Sequence, residues 1–171
     1  MIIAPTLGND RVTLRQQRME DLEAFTAFYR TPRAALMDQP ASASALWYEF
    51  ASDIGSWALI GTGAWAIETP DGQLAGQVAI LHPPHFPERE IGWLVFDGFE
   101  GRGLAHAGAA LALDWAFGPG GLDTLVSYVH RDNHRSAALA RRLGAVEDPA
   151  AERHDPSDVV FRHSPATRAA A

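Results

Sequence analysis

Apolar positions recur along the chain with two periods, and the change from one to the other marks out the predicted elements. Val12 and Leu14 in residues 12–15 describe a short strand. Met19, Leu22, Phe25 and Tyr29 then follow at three- and four-residue steps, the stripe of an amphipathic helix that stops before Pro32. A second helix is predicted over residues 43–54, with Leu46, Trp47, Phe50 and Ile54 on one side. Residues 57–60 and 63–68 read as strands, and Pro70-Asp71-Gly72 turns the chain into a return strand over 74–81. His82-Pro83-Pro84-His85-Phe86-Pro87 has too many prolines for regular structure and predicts a rigid loop.

Residues 91–96 are almost continuously apolar, as expected of a strand covered on both faces. From Gly103 the pattern returns to helical spacing, with Leu104, Ala107, Gly108, Leu111 and Trp115 on one face, and it ends at Gly118-Pro119-Gly120-Gly121. A strand over 122–130, a helix over 134–143 closed by Gly144, and a last strand over 159–162 complete the order. Residues 164–171 read as a frayed tail. The order β-α-α-β-β-β-α-β-α-β, with no internal repeat or linker, predicts one α/β domain over residues 1–171.

Composition narrows the chemistry. The net charge is −7, all fourteen basic residues are Arg, and a P-loop is excluded because its signature needs a lysine. The acidic balance argues against nucleic acid as a partner. The absence of cysteine removes thiol nucleophiles, disulfides and thiolate metal sites. His82-x-x-His85 is broken by prolines and His130 and His134 straddle a strand end and a helix start, so no metal is expected. No stretch reads as a signal peptide or a membrane span, and the expected location is the cytoplasm.

Glu100-Gly101-Arg102-Gly103-Leu104-Ala105 carries the strongest functional signal. It joins a predicted strand to a helix start, where backbone N–H groups without intrahelical partners and the positive end of the helix dipole attract a phosphate-like anion. A dinucleotide site is a poor fit, since the turn comes late in the chain and Asp123 follows a glycine-rich loop instead of a second strand.

Together with two further segments, Glu90-Ile91-Gly92-Trp93-Leu94-Val95 and Asn133-His134-Arg135-Ser136 with Leu143-Gly144-Ala145, this turn resembles the GNAT superfamily of acetyl-CoA-dependent N-acetyltransferases. The likeness is nearest to the branch of bacterial enzymes that acetylate ribosomal-protein N-termini, and it extends over nearly the whole chain. It implies a mixed, mostly antiparallel sheet of about six to seven strands, splayed in the middle and flanked by about four helices. It also implies transfer of an acetyl group from acetyl-CoA directly to a primary amine of a small molecule or a peptide N-terminus, by a monomer or homodimer. One departure stands out: Glu100 occupies a place where the family has Arg or Gln, and a carboxylate there is expected to turn to solvent or to cap the helix. With Ala140 where much of the superfamily has a tyrosine, it motivates an alternative reading, a non-catalytic acyl-CoA-binding or sensor domain.

By the same resemblance, main-chain groups of Leu94, Val95 and Phe96 would hold the pantetheine arm, and an N–H, that of Val95, would polarise the thioester carbonyl. The amides of Gly101, Arg102, Gly103, Leu104, Ala105 and His106 would hold the pyrophosphate, and Asn133 and Ser136 would close the cofactor site. An N-terminal amine costs about 1 kcal/mol to deprotonate at pH 7 and a lysine-like amine about 4.6 kcal/mol, whereas a thiol leaves as thiolate for about 2 kcal/mol. A weak acid therefore suffices, with Ser136 the first candidate and Tyr128 the second, and a base matters for lysine-like acceptors, with Glu90 in that place. Trp57, Trp65, His82 and Glu90 are the expected acceptor contacts, with Trp47 and His85 beside them.

Overall fold

The computed structural model describes residues 4–37 and 40–169. One eight-stranded sheet runs β1-β2-β3-β4-β5-β6-β8-β7, built from β1 Leu7–Gly8, β2 Thr13–Gln16, β3 Ala64–Glu68, β4 Leu74–Leu81, β5 Glu90–Val95, β6 Leu125–His130, β7 Val146–Glu147 and β8 Asp158–His163. Every neighbouring pair is antiparallel except β5–β6. The sheet exceeds the expected six to seven strands because two-residue strands at its edges are too short to show a period in the sequence.

Among the described residues five α-helices accompany it: α1 Leu22–Tyr29, α2 Ala43–Ile60, α3 Leu104–Phe117, α4 His134–Arg142 and α5 Pro165–Ala169. The fifth takes up part of the predicted frayed tail, whose last residues, 170 and 171, lie outside the described residues. Among the described residues no helix is long and apolar enough to cross a membrane.

The largest correction concerns residues 57–60, expected as a strand and found in the last turns of α2. Ser42 caps the start of this helix through Oγ, which accepts from the Ala45 amide at 3.1 Å, and the next stop is Gly61 at φ 74°. Between them Leu46, Phe50 and Trp57 keep one buried stripe. The run 57–60 looked strand-like because Leu59, 84 % exposed, adds an apolar residue on the solvent side.

Helix α3 packs on one face of the sheet through Leu104, Ala109, Ala112 and Leu113, against Leu14, Ile67, Val78, Ile80, Ile91 and Leu125. Trp57, Trp65 and Trp115 meet there edge to face with centroids 4.5–5.5 Å apart. A second cluster holds α1 and α2 through Phe25, Phe28, Leu46 and Phe50, against Leu94 and Phe96. A buried ion pair pins the start of the chain: Arg15 donates to both Asp21 oxygens at 2.8 and 2.9 Å and to Glu68 at 2.6 Å. These hydrogen bonds outweigh desolvation and raise the Arg15 pKa.

Candidate active site

Two breaks in regular structure create the site. The first is the splay between β5 and β6, which pair at one register position, Glu90↔Val126. The Val126 amide donates to the Arg89 carbonyl at 3.0 Å and Ser127 Oγ to the Ile91 carbonyl at 2.7 Å, after which no strand among the described residues pairs with that edge of β5. An extended chain bearing amides can hydrogen-bond along such an edge as an added strand would.

The second break is the turn into α3. Gly101 and Gly103 have φ of 70° and 73°, left-handed conformations that favour glycine. The first intrahelical bond runs from the Ala107 amide to the Gly103 carbonyl, so the amides of Leu104, Ala105 and His106 have no hydrogen-bond partner among the described residues. Among the described residues no side chain caps this helix. The arrangement matches the needs of a pyrophosphate: a positive helix end, free N–H groups and no Cβ in the way.

Glu100 neither caps α3 nor faces the anion site. Its carboxylate accepts from the Gly98 amide at 2.7 Å and pairs with Arg33 at 3.0 Å. Its own backbone amide, Arg33 and Gly98 together hold its pKa below the usual carboxylate value. On the other side of the turn, Arg11 Nη2 donates to the Arg102 carbonyl at 2.6 Å and ties the turn to the loop between β1 and β2.

From the splay a cleft of about 810 Å³ extends beneath α2. Its floor follows from strand register. Gln77 pairs with Leu94, Ala79 with Gly92 and Leu81 with Glu90, and directly paired residues share a face. The small pair Ala79 and Gly92 leaves open space between two larger ends. Opposite stand Glu49, Ser52, Asp53 and Ser56 of α2, while His82, His85 and Phe86 of the proline-rich loop form a side wall with Tyr128 and His154. Phe86 stacks on His154 with centroids 4.4 Å apart.

Among the expected site residues, this cleft brings together Glu90, Leu94, Tyr128, Asn133, Ser136 and His82, with His85 beside them. The Tyr128 amide donates to Glu90 Oε1 at 3.3 Å, and its hydroxyl accepts from the Glu88 amide at 3.2 Å. Burial raises the Tyr128 pKa. Asn133 caps α4 by accepting from the Ser136 amide at 3.1 Å, and both side chains remain at the cleft wall. Residues 101–106 lie beyond the cleft lining, at the turn. Val95 pairs with Gly76, and the Phe96 amide donates to the Ala75 carbonyl at 2.9 Å, so the Phe96 main chain is engaged by the β4 side and its ring is in the core.

The expected tryptophan contacts are not made. Trp57 and Trp65 are 2 % and 0 % exposed, and their indole N–H groups donate to the carbonyls of Ala64 and Pro5 at 3.0 and 2.8 Å. Their polar atoms are spent on main chain and their rings on the core, so neither lines the cleft. Trp47 is 42 % exposed and also lies outside the lining.

Asp53 and Gln77 were not anticipated. Gln17 Nε2 donates to Gln77 Oε1 at 2.8 Å, which leaves the Gln77 amide nitrogen to donate to Asp53 Oδ2, also at 2.8 Å. All three side chains are buried. Burial first, then neighbouring Glu49, pushes the Asp53 pKa up to about 8 against the Gln77 hydrogen bond. A sequence signal existed, because Asp53 follows Phe50 by three residues and precedes Trp57 by four, which puts a carboxyl on the buried stripe of α2.

No group of three or more metal-ligating side chains is found among the described residues. A family profile described as an acetyltransferase (GNAT) domain matches residues 11–146. An acetyltransferase from Agrobacterium tumefaciens is 43 % identical in sequence, with 94 % of each chain covered and a TM-score of 0.90. Two more distant structures share the fold. A Vibrio cholerae protein provisionally named a ribosomal-protein-serine acetyltransferase is 19 % identical, with 96 % of this chain and all of that one covered and a TM-score of 0.77. The microcin C7 self-immunity acetyltransferase MccE, solved with acetyl-CoA and AMP, is 17 % identical, with 91 % and 93 % covered and a TM-score of 0.71. With four-fifths of its length matched by the profile and a 43 % identical relative, the chain belongs to the GNAT acetyltransferase family.

Proposed function

We propose that this acetyltransferase moves an acetyl group from acetyl-CoA directly to a primary amine, carried by a small molecule or by a peptide N-terminus. The observation that supports this reading most is the alignment of three features along β5: the anion-binding turn at 101–106, the unpaired strand edge beyond Ile91, and the cleft under α2. Bound acetyl-CoA would supply the thioester that the amine attacks.

The chain's own residues divide the remaining work. The amides of Leu104, Ala105 and His106 would hold the pyrophosphate, and the Val95 carbonyl on the open edge of β5 a pantetheine amide; the Leu94 main chain, like that of Phe96, faces β4, so Leu94 is left to line the cleft with its side chain. A backbone N–H at Val95 would stabilise charge developing on the carbonyl oxygen. Glu90, at the far end of the cleft floor, would take the amine proton directly or through water. Ser136 or Tyr128 would return a proton to the thiolate.

The test is thiol release from acetyl-CoA in the presence of a panel of diamines, amino acids, aminoglycosides and peptides with free N-termini. Release with at least one acceptor class is the expected result. Silence across the panel, with acetyl-CoA still raising the melting temperature, would refute catalysis in favour of an acyl-CoA sensor.

A further inference from the structure

Asp53 and Asp21 are equally buried, at 4 % and 6 % exposure, but their surroundings differ. Asp21 is gripped by Arg15 through two oxygens. Asp53 has a neutral amide, Gln77, as its partner, and no ion pair reaches it among the described residues. The chain has fourteen arginines, yet among the described residues none lines the cleft where Asp53 lies. Glu49, one turn earlier on the same helix, faces the same space and holds the Tyr29 hydroxyl at 2.6 Å. Sequestering three polar side chains, Gln17, Gln77 and Asp53, is unfavourable unless each is satisfied. The two glutamines orient one another and present the carboxyl to the cleft beside Leu94, the cross-strand partner of Gln77.

We propose that Asp53, held by Gln77, is the anchor for a cationic nitrogen of the acceptor, so that the acetyl acceptor carries, besides the amine that is acetylated, a second, positively charged nitrogen whose charge supplies the counter-ion the fold omits. This rests on the reading of the cleft as the acyl-transfer site. The space is ample, since a cleft of about 810 Å³ exceeds the volume of a short alkylamine beside the end of a pantetheine arm. Arrival of a cation also has a measurable signature. A carboxyl with a pKa of about 8 is about nine-tenths protonated at pH 7, and a bound ammonium lowers that pKa, so the complex releases close to one proton. The other titratable side chains facing this space are Glu49 on α2, Tyr29 on α1, Glu90 on β5, Tyr128 and His130 on β6, His82 and His85 on the proline-rich loop, and His154, Asp155 and Asp158 at the side wall; of these, Glu49 acts on the Asp53 carboxyl.

Binding to the CoA-saturated protein tests this without requiring turnover. The probes are 1,4-diaminobutane and its neutral counterpart butane-1,4-diol, titrated calorimetrically at pH 7 in two buffers of different ionisation enthalpy. The wild type is expected to bind the diamine at least tenfold more tightly than the diol, with proton release. Asp53→Asn keeps the shape and can still accept from Gln77, and it is expected to lower the diamine preference about tenfold and abolish the proton release while diol binding stays the same. Equal binding of the two probes by the wild type, or an unchanged preference and proton release in Asp53→Asn, would overturn the anchor. Diamine binding with proton release but no acetyl transfer would count against the proposed activity and uphold the anchor.

Discussion

Asp53→Asn should stabilise this protein at neutral pH, although it replaces a buried, hydrogen-bonded residue. In the folded state the carboxyl keeps its proton up to about pH 8, whereas in the unfolded chain it loses it near the ordinary value of 3.8. Below pH 4 both states are protonated and the group has no effect on stability. Between pH 4 and 8 only the folded state holds the proton, so folding takes one up and stability falls as pH rises; above 8 the loss is complete. At pH 7 about three units of that interval have been crossed, and at 1.36 kcal/mol per unit the wild type is disfavoured by about 4 kcal/mol through this group alone. Asparagine does not titrate, and its side-chain oxygen accepts from Gln77 as the carboxyl does. Urea unfolding of both proteins at pH 4.5, 6, 7 and 8 measures the difference. The variant should gain steadily on the wild type across the series, with unchanged m-values. Asp21→Asn is the control of opposite sign, because it strips Arg15 of a buried partner and should cost about 3 kcal/mol. Parallel stability curves for wild type and Asp53→Asn would refute the reasoning, since they would mean that Asp53 titrates alike in both states.

Three further substitutions probe the rest of the site. Gly103→Asp forces a side chain into φ 73°, with its Cβ about 3.0 Å from Arg11 Nη2, and puts a carboxylate at the anion site; acetyl-CoA affinity should fall by roughly 100-fold or more in calorimetry, and retained affinity would show that the turn does not hold the phosphates. Ser136→Ala should lower kcat by roughly 100-fold while the Kd for acetyl-CoA moves little, and equal losses in both would make Ser136 a binding residue instead of an acid. Gly76→Ala sets a methyl group 2.3 Å from the Leu94 carbonyl oxygen, so β4 and β5 must separate; a loss of about 1–3 kcal/mol in urea unfolding is expected, and an unchanged midpoint would show that the strands adjust freely.

What the sequence determined by itself was local and periodic. The stripe Leu22, Phe25, Tyr29, the apolar run 91–96 and the glycine turn into α3 are written within a few residues of one another, and the chain adopts them as read. The glycine turn into α3 was legible because free amides and left-handed glycines need only local geometry. Tertiary structure decided the rest. Residues 57–60 became helix because the buried stripe of α2 continued against Trp65 and Trp115, a contact no local window contains. The same packing withdrew Trp57 and Trp65 from the cleft by satisfying their N–H groups with main chain. Asp53 gained its character from Gln77, 24 positions away in sequence on β4, which is itself oriented by Gln17, 36 positions away just past the end of β2. A carboxyl's charge state depends on which partners surround it and how much water remains, and both are fixed only when distant segments close over it.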